Sequence, residues 1–559
     1  MAGGANTSGP LSSKRDALVK VKGMKAFVAN SRVFFIAVFA SLGGLVYGYN
    51  QGMFGQILSM SSFAERINIE SISNPTTRGL LTAILELGAW VGTMANGYLA
   101  DRFGRKKSVV IAVFFFSIGV IVQACAKNKD YILGGRFVTG LGVGALSMLV
   151  PLYNAELSPP EIRGGMVALQ QLSITFGIMI SYWVGYGTNY IGGTGASQSD
   201  AAWLIPICLQ LIPALILAGG ILFMPESPRW LMNQGRDDDC LQTIAKLRQL
   251  PATSEIVSLE FLEIKAQHIF DEETKVELYP DCQDGSKKSE FRMFYKSYGH
   301  LFKGSNLKRT TVAVTIMIFQ QWTAVNGILY YAPFIFSDLG LSGNTTSLLA
   351  SGVVGIAMFL ATIPSVIYID KFGRRPLLIA GALGMASSHF IVAAILGTYG
   401  DNIGEHTVAA WVAIVFIWLF AVHFGYSWGG GAWVLVSEVF PLGLRAKGVS
   451  VGASSNWLNN FAVAMATPDM IDALKFGAYI FFGLICVISA AYVWYLVPET
   501  KDRTLEEMDE LFKDESGQGK RDLERMHRIW SELGLLDSEV EPVTIGEKGS
   551  VTHSVNEVA

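Results

Sequence analysis

Charge is scarce in this chain. Asp, Glu, Lys and Arg make up 16% of its 559 residues, where a soluble protein of this length would carry about a quarter. Together with a mean hydropathy of +0.38, this excludes an ordinary soluble domain. Cysteine is scarce too, with five in all. Cys125, Cys208 and Cys486 lie in or beside apolar runs, and Cys240 and Cys282 in a long polar loop, so neither a disulfide framework nor a metal site is indicated. There is no nucleotide-binding loop and no nucleophile triad, so no enzyme activity and no cofactor are expected. The basic residues cluster at the ends of apolar runs, which reads as membrane topology and not as a nucleic-acid surface.

What the chain has in place of charge is long apolar runs. Twelve of them reach the roughly 20 residues needed to cross a bilayer. The expected fold is an all-α integral membrane protein: twelve transmembrane helices in two pseudo-symmetric six-helix bundles joined by a cytosolic helical linker. The expected boundaries are an N-terminal tail at 1–32, the first bundle at 33–224, the linker at 225–306, the second bundle at 307–497 and a C-terminal tail at 498–559. Residues 1–32 and about 513–559 are polar and expected to lack fixed structure. Lys14, Arg15, Lys20, Lys22, Lys25 and Arg32 precede span 1, Arg102, Arg105, Lys106 and Lys107 follow span 2, and Arg374 and Arg375 follow span 8. These fall on one face if both termini are cytosolic. Asn344-Thr345-Thr346, between spans 7 and 8, is then a candidate external glycosylation site.

Three charged motifs occur twice, in the same order and at nearly the same separation. Asp101-Arg102-Phe103-Gly104-Arg105-Lys106 returns as Asp370-Lys371-Phe372-Gly373-Arg374-Arg375. Glu156 precedes Arg163 by seven residues, and Glu438 precedes Arg445 by seven. Pro225-Glu226-Ser227 returns as Pro498-Glu499-Thr500. Repeats of this kind are the mark of a duplicated membrane half. Asp101, Arg105, Glu156, Arg163 and Glu226, matched by Asp370, Arg374, Glu438, Arg445 and Glu499, are expected to form two ion-pair clusters that act as a cytosolic gate.

Polar side chains inside a span are costly, so they face a cavity or a partner. Span 7 carries Gln320, Gln321, Thr323, Asn326, Tyr330 and Tyr331. Gln320 and Asn326 cannot share one helical stripe unless the helix is broken, and Gly327 and Pro333 are the expected breakers. Gln170 and Gln171 in span 5, His423, Trp428 and Trp433 in span 10, and Asn456, Asn459 and Asn460 in span 11 add to the set. Neutral amides donate to and accept from hydroxyls, and indole rings stack on C–H faces, so these residues suit a neutral polyhydroxylated ligand. Glu86, in the middle of span 2, is an intramembrane carboxylate and a functional candidate on that ground alone, with Arg136 of span 4 as its expected partner.

Over about residues 33–512 the chain resembles the sugar porters of the major facilitator superfamily, of the fungal monosaccharide type. The stretches that carry the likeness are Gly135-Arg136 with Gly140, Gly142 and Gly144; Pro151-Leu152-Tyr153 with Glu156 and Arg163-Gly164; Pro225-Glu226-Ser227-Pro228-Arg229-Trp230; Gln320-Gln321 through Asn326 to Pro333; Ser437-Glu438-Val439-Phe440-Pro441; and Pro498-Glu499-Thr500-Lys501. The resemblance implies alternating access to a monosaccharide, with the lipid bilayer, the sugar and protons as partners, a monomeric functional unit and a plasma-membrane location. It implies Gln320, Gln321, Asn326, Trp433, Asn456, Asn460 and Gln171 as sugar-binding residues. Where the family often has asparagine in span 8 and Gly-Pro before the span-10 tryptophan, this chain has Met358 and Gly429-Gly430. Proton-coupled members resemble Phe-Gly-Tyr-Asp-x-Gly in span 1, and here the stretch reads Tyr47-Gly48-Tyr49-Asn50-Gln51-Gly52. Asparagine cannot titrate, so the expectation is symport with Glu86 in the acid's role, against a uniporter as alternative. A sugar-sensing receptor built on the same fold and a quinate or sugar-acid carrier are the remaining rivals.

Overall fold

The structure is a computed structural model describing residues 24–68, 72–282, 286–340, 344–501 and 518–536, with isolated positions in the tails. Twelve helical spans succeed one another. Span 1 is Ser31–Ala40 continued by Leu42–Leu58, span 2 Pro75–Phe103, span 3 Arg105–Ala124, span 4 Lys129–Leu157, span 5 Arg163–Thr188 and span 6 Ala201–Leu209 continued by Leu211–Ile221. Span 7 is Gly304–Trp322 with Val325–Asp338, span 8 Asn344–Phe372, span 9 Arg374–Tyr399, span 10 Thr407–Tyr426 with Trp428–Glu438, span 11 Arg445–Leu474 and span 12 Phe476–Leu496. Spans 1–6 enclose one apolar core and spans 7–12 another. A short antiparallel strand pair, Thr544–Ile545 with Val551–Thr552, is the one β element among the described residues.

Ten of these spans are long and apolar enough by composition to cross a membrane; spans 2 and 11 are the other two. Each is diluted by polar residues, and together they form the broadest contact between the bundles. Spans 2 and 4 approach backbone to backbone: a Cβ on Gly140 would sit 2.2 Å from Leu85 O, and one on Gly144 1.9 Å from Ala89 O. The glycines of span 4 therefore serve packing.

The linker is helical, as Pro228–Asn233, Asp237–Arg248, Glu255–Leu278 and Lys287–Leu301. Arg248 fastens it to the first bundle, pairing with Glu161 at 3.1 Å and with Glu260 of the linker itself. The C-terminal tail departs from the expectation of no fixed structure. Residues Gln518–Glu532 form a helix whose Met526 and Ile529 join the linker's core with Phe261 and Phe270, while Arg525 and Arg528 pair with Glu273 and Glu277. Alone, a helix this short would be marginal; an apolar groove to bury against makes it stable. At the other terminus, Arg15 pairs with Glu263 of the linker. The linker and both tails thus lie at one end of the bundles, the tail end; the opposite end is the distal end.

Candidate functional site

Span 7 is interrupted at Thr323–Ala324, where Ala324 takes φ 70 and ψ 20. The break lies upstream of the expected breakers: Gly327 packs against Thr467, and Pro333 sits inside the second helical piece. Its effect is the one the sequence demands, because it turns amides from both pieces inward. Gln320 donates to Trp428 O at 2.8 Å and accepts from Asn456 Nδ2 at 2.5 Å. Asn326 Nδ2 donates to Gln321 Oε1 at 2.7 Å. All four of these side chains are buried. Trp433 lies half-buried on the short piece of span 10 that begins at Trp428, after a kink at Ser427 (φ −123, ψ −81). Gln171 faces span 10, its Nε2 3.5 Å from where a Cβ on Gly429 would stand. Met358 is buried against the Gly425 turn of span 10, where its carbonyl lies 3.0 Å from an added Cβ.

Glu86 is fully buried, and its partners come from the opposite bundle. Tyr330 OH donates to Oε1 at 2.5 Å and Asn460 Nδ2 to Oε2 at 2.9 Å. Arg136, the expected partner, lies with its guanidinium 3.7 Å from the centre of the Phe54 ring and donates Nη2 to Thr82 O at 3.0 Å. Asn50 is turned elsewhere, donating to Gln210 of span 6 at 2.6 Å. Gln51, from the same turn, reaches Tyr330 OH at 3.4 Å and Tyr47 OH at 3.2 Å, and Tyr47 packs on Trp457 of span 11 with ring centres 5.4 Å apart. Sequence reasoning missed Gln51, Tyr47 and the role of Tyr330. The signal available for them was their place within polar spans, which names no partner.

The charged repeats assemble into one cluster per bundle at the tail end. In the first, Arg105 donates Nε and Nη2 to the two oxygens of Glu156, each at 2.8 Å. In the second, Arg374 does the same to Glu438, at 3.1 and 2.8 Å. Gly104 and Gly373, both at positive φ (86 and 89), make the turns that start spans 3 and 9 with these arginines. Helix N-termini leave N–H groups without intrahelical partners, and a carboxylate suits them. Glu499 accepts from the N–H groups of Arg374, Arg375, Thr500 and Lys501 at 2.9–3.1 Å. Glu226 does so more loosely for Lys106 and Ser227, at 3.5 and 3.4 Å. Asp101 is a lesser member, exposed and 3.3 Å from Arg105. Arg163 and Arg445 stand beside the clusters: Arg163 donates Nη2 to Ser158 O at 3.4 Å, and the buried Nε of each makes no hydrogen bond. The side chains of Asp370 and Asn344 lie outside the described residues.

The comparisons with known proteins fit this geometry. Residues 36–512 match the family model described as sugar (and other) transporter. The chain belongs to the sugar porters of the major facilitator superfamily. This is a family of transporters and not of enzymes. A high-affinity glucose transporter of Kluyveromyces lactis is 35% identical over 88% of this chain and 87% of its own length. A quinate permease of Emericella nidulans is 32% identical over 89% of this chain and 91% of its own. Among solved structures, the proton:xylose symporter XylE bound to 6-bromo-6-deoxy-D-glucose is 31% identical with a TM-score of 0.68, covering 86% of this chain and 99% of that one.

Proposed function

We propose that this sugar porter carries a neutral monosaccharide, a hexose or pentose, by alternating access and couples the movement to a proton at Glu86. The bundles at 33–224 and 307–497 rock around Gln171, Gln320, Gln321, Asn326, Trp433, Asn456 and Asn460. The carrying observation is that Glu86 of the first bundle holds Tyr330 and Asn460 of the second. Asn460 is both a sugar ligand in this reading and a donor to the acid, so sugar and carboxylate compete for one amide. Hydrogen bonds to an ionised acceptor are roughly twice as strong as neutral ones. Protonation therefore loosens the tie between bundles and frees Asn460 for sugar. The neutral side chains favour a sugar over quinate. Asn50, bonded to Gln210, supports the uniporter as the second reading.

The working unit is one chain in the plasma membrane, with the tail end in the cytosol, as the Lys and Arg distribution supports. Uptake of radiolabelled glucose, xylose and quinate into transport-null yeast, with and without a protonophore, tests the reading. Sugar accumulation abolished by the protonophore supports symport; equilibration that ignores it makes the protein a uniporter, and uptake of quinate alone overturns the substrate assignment.

A further inference from the structure

The break in span 7 is held from outside by a residue that no part of the transport reading uses. His389 of span 9 is 2% exposed, and its Nε2 lies 3.0 Å from Thr323 O. A carbonyl oxygen only accepts, so Nε2 carries the proton and donates it. Thr323 and Ala324 sit where the helical ladder is interrupted, and the left-handed φ of Ala324 is one an alanine adopts only when its surroundings impose it. The imidazole is itself fixed, packed on Phe420 with ring centres 4.8 Å apart and on Phe482 at 6.0 Å. Next to the break lies a small apolar cavity of about 10 Å³, room for about one water, lined by Ala324, Gly327, Ile328 and His389 among others. The piece Val325–Asp338 thus has a fixed point at its start and slack beside it.

We propose that His389 is a positioning residue for the sugar site. Its Nε2–H, given to Thr323 O, anchors the break in span 7 and sets the orientation of Gln320 and Gln321 on one side relative to Asn326 and Tyr330 on the other. This rests on the sugar-site reading above. The rival role, aromatic packing alone, is separated by chemistry. His389→Phe keeps a ring among Phe420, Tyr479 and Phe482 but has no donor. His389→Gln loses the ring but keeps an N–H that can reach the same carbonyl.

The test uses the full-length protein in lipid nanodiscs for hydrogen exchange and in proteoliposomes for radiolabelled D-glucose and D-xylose exchange. The expected result is that His389→Phe speeds amide exchange in 320–338, raises the half-saturation constant about tenfold and changes the maximal rate less. His389→Gln should return both quantities to within about twofold of wild type. Ala324→Gly, which accepts the left-handed conformation without strain, should partly rescue His389→Phe. Unchanged exchange in His389→Phe overturns the anchor, as does equal impairment by phenylalanine and glutamine, which would mark packing. Faster exchange with unaltered half-saturation overturns the positioning role. Asn326→Ala, assayed alongside, tells that failure from failure of the site reading: it raises half-saturation if the site is correctly placed.

Discussion

At the residue scale, the site is a set of buried amides that satisfy one another. Asn456 donates to Gln320 and Asn326 to Gln321, one hydrogen bond each, so a sugar hydroxyl entering here replaces protein bonds that already exist. Losing one well-made hydrogen bond to the bound sugar costs about 1–2 kcal/mol of affinity. Gln321→Ala and Asn326→Ala are therefore each expected to raise half-saturation roughly tenfold at equal membrane expression, measured as equilibrium exchange. Unchanged kinetics in both would remove them from the site. Glu86 is tested at the same scale. Glu86→Gln keeps the size and the capacity to bond Tyr330 and Asn460 but cannot titrate. It should abolish uphill accumulation while leaving downhill exchange within a few-fold of wild type; accumulation that survives the change excludes Glu86 as the coupling group. The sequence made the polarity of these residues legible, since an amide or acid within an apolar run has few explanations. It could not make the pairing legible. Glu86 finds Tyr330 and Asn460 rather than Arg136 because helix crossing between bundles decides contacts hundreds of residues apart.

At the element scale, the duplicated motifs become a device for starting helices. Glycine at positive φ turns the chain, an arginine begins the next span and bonds a glutamate at the end of the span after it, and a second glutamate covers the new N-terminus. This much was legible because three ordered repeats constrain a fold strongly. The division of labour within each cluster was not, because it depends on distances a repeat does not encode. The two copies also differ: Glu499 accepts four backbone N–H groups at normal lengths, whereas Glu226 accepts two at long ones. Hydrogen bonds to a charged group contribute about 1.5–3 kcal/mol. Glu499→Ala should consequently lower the thermal unfolding midpoint of the detergent-purified protein more than Glu226→Ala does. Equal shifts would mean that the shorter bonds at Glu499 carry no added stability. The breaks in spans 7 and 10 teach the complementary lesson. The polar pattern required a break in span 7, but Ala324 rather than Gly327 or Pro333 provides it, because His389 and the neighbouring aromatic packing impose a conformation that residue identity alone disfavours.

At the scale of the whole molecule, the question is which end of the bundles is shut. Several contacts between bundles lie toward the distal end: Thr76 donates to Asp469 at 2.9 Å, Arg78 lies over Phe334 at 4.6 Å, and Tyr182 OH donates to Leu329 O at 2.5 Å, while Trp90 Nε1 donates to Ser454 Oγ at 2.6 Å further along spans 2 and 11. A Cβ on Gly79 would stand 2.5 Å from Met465 O, so spans 2 and 11 touch there backbone to backbone. At the tail end the Arg105–Glu156 and Arg374–Glu438 pairs each stay within one bundle. The close approach of spans 2 and 11 holds the distal ends of the two bundles together. Alternating access requires the distal contacts to part once in every cycle. Thr76→Cys combined with Asp469→Cys places two thiols where the present side chains meet. Oxidation of that pair should cut uptake at least tenfold and a reductant should restore it, while either single variant stays insensitive to both reagents. Formation of the cross-link can be read independently by a shift in electrophoretic mobility after cleavage in the linker. A fully cross-linked protein that still transports at the wild-type rate would show that the distal ends of spans 2 and 11 never separate, and the rocking of two rigid bundles would have to be abandoned for movement confined to Val325–Asp338.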